Sequence, residues 1–360
     1  MKLTSTRSLV PLTALLLTLG AGALQAAQLK VPQKYPTIQS ALNAAQSGDV
    51  VLVSKGTYHE NLFFHGIGVT LKGKGKVLVK PVTDLPVIQF HQSVDCKIVN
   101  IRVDGQLTSI GIKVNSVDNV LVKDCRIDHA GGIGIWAELG VGARLLNNVI
   151  KQTDGDAIRL RGSSATVKGN VIKDATADGI GVEGTLHTVE GNEIERATKV
   201  GIRLPTEESS QNLIVDNVIR DTAMIGIQTE SLTVGNTLMG NRIEGSGSQA
   251  MIVYGKGQLV TGQQIKQSGS EGIFTNADLS SFKNNKVKKS GKSGIFLVSG
   301  SSIKVTGNKV RHSAMDGLSV YGSFHSVVQN SLKNSGQLDL NAVSTNTTYL
   351  GNDYVTTNLP

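Results

Sequence analysis

The chain has 360 residues and a formal net charge of +8 at neutral pH. A modest basic excess is compatible with an acidic polysaccharide, an anionic surface or nucleic acid, and equally with ordinary solubility charge, so it selects no partner. No stretch beyond the N-terminal segment is apolar enough to span a membrane, which excludes a transmembrane helix in the rest of the chain.

Residues 1–27 have the order of a bacterial secretory signal. Lys2 and Arg7 precede an apolar run at 9–19, and small residues close the segment. An uncleaved anchor is the alternative, but the apolar run is short for a membrane span of about 20 residues. We therefore expect cleavage at residues 26–27, a periplasmic or extracellular protein without stable membrane insertion, and a remaining charge of +6.

A small residue followed by an aliphatic residue recurs through most of the chain. The ten copies are spaced by 21 to 25 residues, which is typical of a solenoid. Length alone suggests two domains, but a solenoid grows by adding repeats, so we predict one domain over residues 28–360. The copies begin at Gly111, Gly132, Ala157, Gly179, Gly201, Gly226, Ala250, Gly272, Gly294 and Gly317.

An asparagine two residues before an aliphatic residue recurs in step with these copies. Asparagine tolerates the left-handed backbone of a tight turn, and stacked amides bond to one another. We place Cys125, Gln264 and Asn352 in the same slot. The asparagines are Asn148, Asn170, Asn192, Asn217, Asn241, Asn285, Asn308 and Asn330.

Within each repeat, apolar and polar residues alternate over runs of three to five residues broken by turn formers. This pattern favours short strands rather than helices. A coil of about 23 residues then holds three strands and three turns, which is one rung of an all-β parallel β-helix. Residues 37–46 instead space Ile38, Ala41, Leu42 and Ala45 on one helical face, so we predict an N-terminal capping helix.

The repeats and the segment 49–60 (DVVLVSKGTYHE) resemble the pectate-lyase-like superfamily, and in particular its NosD-type repeats, called carbohydrate-binding and sugar-hydrolysis domains. The resemblance covers residues 30–355 and implies a right-handed parallel β-helix with three short sheets. It implies function only in outline, because one fold hosts many activities.

In that superfamily, active sites usually lie on the sheet that here begins at each Gly-Ile step. Extra residues in the turns that leave this sheet, at 137–143 and 205–211, could wall a groove. Alternation assigns the outward side chains between them. The catalytic candidates are Arg159, Arg161, Glu183 and Arg203 on the sheet, with Asp156 and Asp178 at its edge.

These residue types suit a uronate polymer. Arginine recognises carboxylates with a planar fork, and Trp136 could stack on a sugar ring. Acids beside arginines could act as general acid or base, or bind Ca²⁺ through oxygen ligands. Ordinary cross-strand pairs and turn-forming aspartates are the alternative reading. Further candidates for substrate binding are Lys113, Glu230, Tyr254 and Phe274.

A second outward stripe is apolar. Tyr254, Phe274, Phe296 and Tyr321 follow one another on the same predicted sheet. Exposing several aromatic side chains to water is unfavourable in free energy. The stripe therefore suggests a sugar-stacking or protein-binding surface, or cover by the C-terminal tail.

Two further observations limit the functional reading. The seven histidines show no HxH or HxxxH spacing, so no cofactor follows with certainty and Ca²⁺ remains the one candidate. The Asp-Pro-His motif of mannuronan epimerases and the motif sets of polygalacturonases and pectin methylesterases are absent. No catalytic set can therefore be carried over residue by residue.

We predict a protein that acts on or binds an acidic polysaccharide, with no nucleic-acid partner. If it is an enzyme, we expect a lyase or C5-epimerase. The alternatives are a non-catalytic glycan- or protein-binding solenoid and a NosD-like periplasmic accessory factor. Cys96 and Cys125 fall on neighbouring coils but at different points around them, so a disulfide and two buried thiols both stay open.

Overall fold

The computed structural model describes residues 26–106, 110–115 and 118–359. The predicted signal segment lies outside these residues except for Ala26 and Ala27. All described strand pairs are parallel, and each strand pairs with its counterpart one coil further along the chain. The chain is therefore a right-handed parallel β-helix, and the predicted fold class is confirmed.

The Gly-Ile sheet is one face of this solenoid. Its 13 strands lie side by side in chain order, so outward residues of successive coils form straight columns. The strands are Leu62–Ile67, Ile88–Val94, Ile110–Asn115, Ile133–Val141, Ile158–Ser163, Ile180–Thr185, Val200–Leu204, Ile225–Thr229, Met251–Val253, Ile273–Thr275, Ile295–Leu297, Leu318–Val320 and Leu340–Ala342.

The first flanking face follows the Gly-Ile sheet in each coil. Val50–His59 and Thr70–Lys80 continue around a corner and so join this face to the next in one 26-stranded sheet. The strands are Gln28–Val31, Val50–His59, Thr70–Lys80, Lys97–Val99, Leu121–Lys123, Arg144–Leu146, Thr166–Lys168, Thr188–Glu190, Leu213–Val215, Thr237–Met239, Leu259–Thr261, Ser281–Lys283, Lys304–Thr306, Ser326–Val328 and Thr348–Leu350.

The second flanking face completes the coil before the chain returns to the Gly-Ile sheet. Its strands are Arg102–Asp104, Arg126–Asp128, Val149–Thr153, Val171–Ala175, Glu193–Glu195, Val218–Arg220, Arg242–Glu244, Gln264–Ser268, Lys286–Ser290, Lys309–Arg311 and Ser331–Lys333.

Inward side chains of the three faces stack into one continuous apolar core. Ile158, Ile180 and Ile202 pair in register on neighbouring strands and are fully buried. Near the N-terminal end, the rings of Phe64 and Phe90 stack with centroids 4.3 Å apart. A single rung exposes this core on both sides, which is why only the stack of coils is stable.

The predicted capping helix is Ile38–Ala44, which buries Ile38, Ala41 and Leu42. Thr37 caps its N-terminus, and the Thr37 and Ser40 side chains each accept a hydrogen bond from the other's backbone N–H. The Glu60 carboxylate accepts from the backbone N–H groups of Ile38 and Gln39, both at 2.9 Å, and so ties the helix to the first coils.

The asparagine ladder lies between the first and second flanking faces. Between neighbouring asparagines, as at Asn170, the side-chain oxygen accepts from the backbone and amide N–H of Asn148, and the amide nitrogen donates to the carbonyl of Leu145. The ladder extends to Asn352, as predicted. The placement of Gln264 was wrong, because the residue in the slot is Gln263, which donates to the Leu238 carbonyl and accepts nothing at Oε1.

A second polar ladder, which the sequence analysis missed, follows the Gly-Ile sheet. His187, Asn212, Asn236, Gln258 and Ser280 each accept a hydrogen bond from the backbone N–H one coil earlier. Histidine, asparagine, glutamine and serine share the slot, so no one residue type occupies it throughout. Both ladders satisfy buried backbone donors inside the turns.

The extra residues at 137–143 do not form a loop, because the strand Ile133–Val141 continues through them and absorbs the surplus at a bulge between Glu138 and Gly140. Cys96 and Cys125 are both buried free thiols, and burial raises the pKa of Cys125 to about 12.

Candidate functional site

The candidate site is centred on Gly181, on the outward face of the Gly-Ile sheet. Trp136, Arg159, Gly181 and Arg203 occupy successive rungs of one outward column. Gly181 is buried and has no side chain, so the column lacks an outward side chain between the two arginines, and we call this gap the notch. A Cβ there would lie 3.4 Å from Asp156 Oδ2 and 4.0 Å from Arg159 Cγ, which is ordinary contact.

Asp156 and Asp178 line the edge of this notch, where the chain turns into the sheet. Asp156 Oδ2 accepts from Arg159 Nε at 2.8 Å, and its Oδ1 accepts from the backbone N–H of Asp178 at 3.1 Å. Asp178 Oδ1 accepts from the N–H of Val200 at 3.1 Å, while its Oδ2 lies 4.0 Å from Arg203 Nη1. Both oxygens of Asp156 are engaged, whereas Asp178 Oδ2 is only loosely held.

This environment raises the pKa of Asp178. Burial is the largest cause and the negative charge of Asp156 adds to it, while Arg203 and the Val200 N–H act in the opposite direction. A carboxyl with a raised pKa suits proton transfer to or from a bound substrate. Asp178 is therefore the titratable group of the site with the properties of an acid or base.

Arg203 connects the notch to the next coils. Its Nη2 donates to Glu230 Oε1 at 3.1 Å, and Gln228 Nε2 donates to the same oxygen at 2.8 Å. Among the described residues, the buried N–H groups of Arg203 Nε and Trp136 Nε1 have no acceptor. Buried donors without partners are uncommon in native proteins, and they mark places where a ligand oxygen would be stabilised.

The next outward column carries Glu138, Arg161 and Glu183 in register. Arg161 Nε lies 3.9 Å from Glu183 Oε2, a weak exposed pair. Glu138 pairs with Lys113 at 3.6 Å. Sequence reasoning missed Glu138, although alternation from Trp136 places it outward.

Lys113 and Trp136 contact one another. The Lys113 ammonium lies 4.5 Å from the centroid of the Trp136 ring and so covers one face of the indole. A sugar that stacks on this face must first displace the ammonium.

The predicted aromatic stripe is a continuous ladder. Tyr254, Phe274, Phe296 and Tyr321 are half-buried and meet edge to face, with centroids 5.6 to 6.1 Å apart. The last described residues do not cover it, because Thr357 bridges to Leu340 at the end of the solenoid. The aromatic ladder continues the same sheet beyond Arg203 and Glu230.

The donor set does not fit Ca²⁺. Three of the four carboxylate oxygens of Asp156 and Asp178 already accept hydrogen bonds from backbone N–H groups or from Arg159. In the described ranges, no group of three or more His, Cys, Asp or Glu side chains is placed to hold a metal ion. We derive no chemical step through Ca²⁺.

The comparisons with known proteins agree with this fold. The profile described as "Right handed beta helix region" matches residues 43–187, 110–265 and 234–355. The chain belongs to this right-handed β-helix family. The predicted resemblance to pectate-lyase-like proteins is thereby confirmed at the level of the fold. No curated protein matches the chain significantly.

Solved structures with the same fold include enzymes and an adhesin. The A-module of a mannuronan C-5 epimerase from Azotobacter vinelandii has 16% identity and a TM-score of 0.67, covering 90% of this chain and 94% of the other. A PL6 alginate lyase in complex with a trisaccharide has 13% identity and a TM-score of 0.61, covering 92% and 86%. The surface adhesin PfbA of Streptococcus pneumoniae has 11% identity and a TM-score of 0.59, covering 89% and 92%. At these identities the likeness concerns the fold alone.

No helix within the described residues is long and apolar enough to cross a membrane.

Proposed function

We propose that the chain binds an acidic polysaccharide along the outward face of the Gly-Ile sheet and acts on it at the Gly181 notch. The observation that carries the proposal is the notch itself, with Arg159 and Arg203 on either side and Asp178 at its edge. The two guanidinium groups favour a uronate carboxylate seated between them. The proposed location is the periplasm or the cell exterior.

The reaction we propose is β-elimination or C5-epimerisation of a uronate residue. Ionised Asp178 removes the proton from C5, and Arg159 and Arg203 stabilise the negative charge that develops on the uronate carboxylate. In elimination, the bond between C4 and the glycosidic oxygen then breaks, and Asp178 returns its proton to that oxygen. In epimerisation, the bond stays intact, C5 takes a proton from a solvent water on the opposite face, and Asp178 releases its proton to solvent.

Two structural neighbours are a mannuronan C-5 epimerase and an alginate lyase, and this supports the choice of substrate. The products distinguish a lyase from an epimerase. Elimination leaves a C4–C5 double bond that absorbs ultraviolet light. Epimerisation instead exchanges the C5 proton with solvent deuterium, which NMR detects.

The test compares wild type with Arg159→Ala and Arg203→Ala on polymannuronate, polyguluronate and polygalacturonate. Both variants should lose turnover by about a hundredfold or more, since each removes a charge that stabilises the transition state. Arg196→Ala is the matched control, because Arg196 is an exposed arginine that pairs with Asp174 on another face. Full activity in both site variants would refute the proposed site.

A second candidate function is non-catalytic glycan binding through the aromatic ladder. Edge-to-face rings on an open sheet offer apolar surface for sugar rings, and one neighbour is an adhesin. Phe274→Ala and Phe296→Ala should then weaken glycan binding, whereas Phe324→Ala, an exposed ring outside the ladder, should not. Binding without turnover on all polyuronates favours this function, and binding of a protein but no glycan would favour a protein partner.

A further inference from the structure

The second flanking face changes its charge pattern along the solenoid. In the middle coils, outward acids and bases alternate and pair, as in Lys173 with Glu195 and Arg220 with Glu193. In the coils that follow, the same positions carry mainly bases. The ion pairs that balance the charge of this face therefore end near Arg242. The excess positive charge of the chain is concentrated in the coils that follow Arg242.

Two outward columns flank a groove of about 430 Å³ on this basic part of the face. Successive rungs pair in register, so the groove runs along the solenoid axis. One column holds Arg242, Gln264, Lys286 and Lys309, and the other holds Glu244, Lys266, Lys288 and Arg311.

The cations of this groove are mostly unpaired. Glu244, the one carboxylate that lines it, accepts from Arg242 and Lys266. In the part of the chain that the structure describes, no carboxylate lies within 4.0 Å of the charged nitrogens of Lys286, Lys288, Lys309 or Arg311. Like charges directly opposite one another on adjacent strands destabilise a sheet. A bound polyanion would relieve that repulsion.

We propose that this basic groove is a second binding site, for a linear acidic polysaccharide with about one charge per sugar residue. Cations in one column repeat every rung, or about every 4.8 Å. One pyranose with its glycosidic oxygen is comparably long, so consecutive carboxylates would meet consecutive rungs. None of the described residues that line the groove is aromatic, whereas sites for single-stranded nucleic acid combine basic grooves with stacking rings.

The basic groove lies on a different face from Gly181, so it stands independently of the proposed function. A polymer held at both faces, or two chains held side by side, would raise the effective concentration of substrate at the solenoid. The groove would serve as an anchor and carry no chemistry of its own.

The test is calorimetric titration of the full chain with polygalacturonate at low salt, with neutral dextran as the negative control. The double variant Lys286→Glu with Lys309→Glu should lower the affinity about tenfold or more, because it reverses two charges inside the groove. The matched control is Lys72→Glu with Lys74→Glu, which makes the same change of net charge at two exposed lysines on the first flanking face. It should change the affinity by about twofold at most.

Three results would overturn the proposal. One is an equal loss of affinity in both double variants, which indicates only a general charge effect. Another is unchanged binding in the groove variant. A third is tighter binding of single-stranded DNA or phosphatidylglycerol vesicles than of polygalacturonate in the same buffer.

The experiments distinguish an incorrect groove proposal from an incorrect assignment of the Gly181 site. Trp136 is the only tryptophan of the chain, so its fluorescence reports on the Gly-Ile sheet and not on the groove. If the groove proposal is correct, the Lys286 and Lys309 variant keeps the Trp136 response of wild type. Arg159→Ala with Arg203→Ala should still show groove binding even if the proposed function is wrong.

Discussion

The backbone N–H of Asp178 donates a hydrogen bond to the carboxylate of Asp156, one coil earlier, at 3.1 Å. The Val200 N–H repeats this contact with Asp178, so the two aspartates form a short ladder at the edge of the Gly-Ile sheet. Asp316 accepts from the Leu338 N–H in the same way, and its other oxygen accepts from Ser319 and Asn341 rather than from an arginine. An aspartate at this turn thus has a structural role. Asp156 and Asp178 are catalytic candidates because arginines lie next to them.

Asp178→Asn should flatten the dependence of stability on pH. The folded chain raises the pKa of Asp178, so it holds the proton more tightly than the unfolded chain does. Its favourable contribution is therefore present at low pH and is lost as the pH rises from the ordinary aspartate value through the raised pKa. The measurement is the free energy of unfolding in urea as a function of pH, and equal slopes for wild type and variant would contradict the assignment.

Asp174→Asn provides the control of opposite sign. The hydrogen bond from Arg196 lowers the pKa of Asp174, so its contribution is present above the ordinary aspartate value and disappears on acidification. Because Asp174 is exposed, we expect only a small effect.

Gly181 and Gly201 should respond differently to alanine, although both lie on the Gly-Ile sheet. A Cβ at Gly201 would lie 2.5 Å from the Gly226 carbonyl oxygen, which the backbone cannot relieve without shifting a rung. We expect Gly201→Ala to cost about 1–3 kcal/mol of unfolding free energy. Gly181→Ala should cost about 0.5 kcal/mol or less, because the added Cβ would approach its neighbours no closer than 3.4 Å although Gly181 is buried.

The functional half of this comparison uses a larger side chain. Gly181→Leu should keep the fold but fill the notch between Arg159 and Arg203, so uronate binding or turnover should fall while the melting temperature stays close to that of wild type. Normal activity in Gly181→Leu would show that the notch is not where substrate is bound.

Gln263→Asn should stabilise the chain. Gln263 interrupts the asparagine ladder, and its buried Oε1 accepts no hydrogen bond in the described structure. The shorter asparagine would restore the geometry of Asn241 and Asn285 on either side, which should raise the free energy of unfolding by about 0.5–1.5 kcal/mol.

Asn192→Ala should instead lower the free energy of unfolding by about 2–3 kcal/mol, because it leaves the buried Asn170 N–H without its acceptor. Chemical denaturation of both variants measures the two effects.

The sequence predicts the periodic parts of this fold and much less of its turns. The Gly-Ile steps and the asparagine slot repeat one residue type, so register and outward columns follow directly, including Arg159 and Arg203. The ladder through His187 uses several residue types with one shared hydrogen bond, so no repeat reveals it. The sequence predicts a loop where the structure has the bulge after Glu138, because counting residues does not distinguish a loop from a strand that absorbs one more residue. Ion pairing of the arginines depends on rotamers, which the sequence does not specify.

His187 should make the fold sensitive to mild acid. Its Nδ1 accepts the backbone N–H of Ala165 at 3.0 Å, and its Nε2 lies 3.2 Å from the Glu183 carbonyl. Only the neutral ring with its proton on Nε2 makes both contacts. Burial lowers the pKa of His187, so the unfolded chain takes up a proton first and stability falls as the pH drops below the ordinary histidine value of 6.5.

His187→Asn tests this sensitivity with the residue that the next coil uses in the same slot. Asn212 accepts the His187 N–H and donates to the Gly184 carbonyl, so an asparagine at 187 can make the equivalent bonds without titrating. Unfolding free energies at neutral pH should nearly match wild type, and the loss between neutral pH and pH 5 should be smaller in the variant. His59→Asn, at an exposed position, controls for the removal of a histidine as such. If both variants lose stability as steeply as wild type, the acid sensitivity does not arise from the ladder.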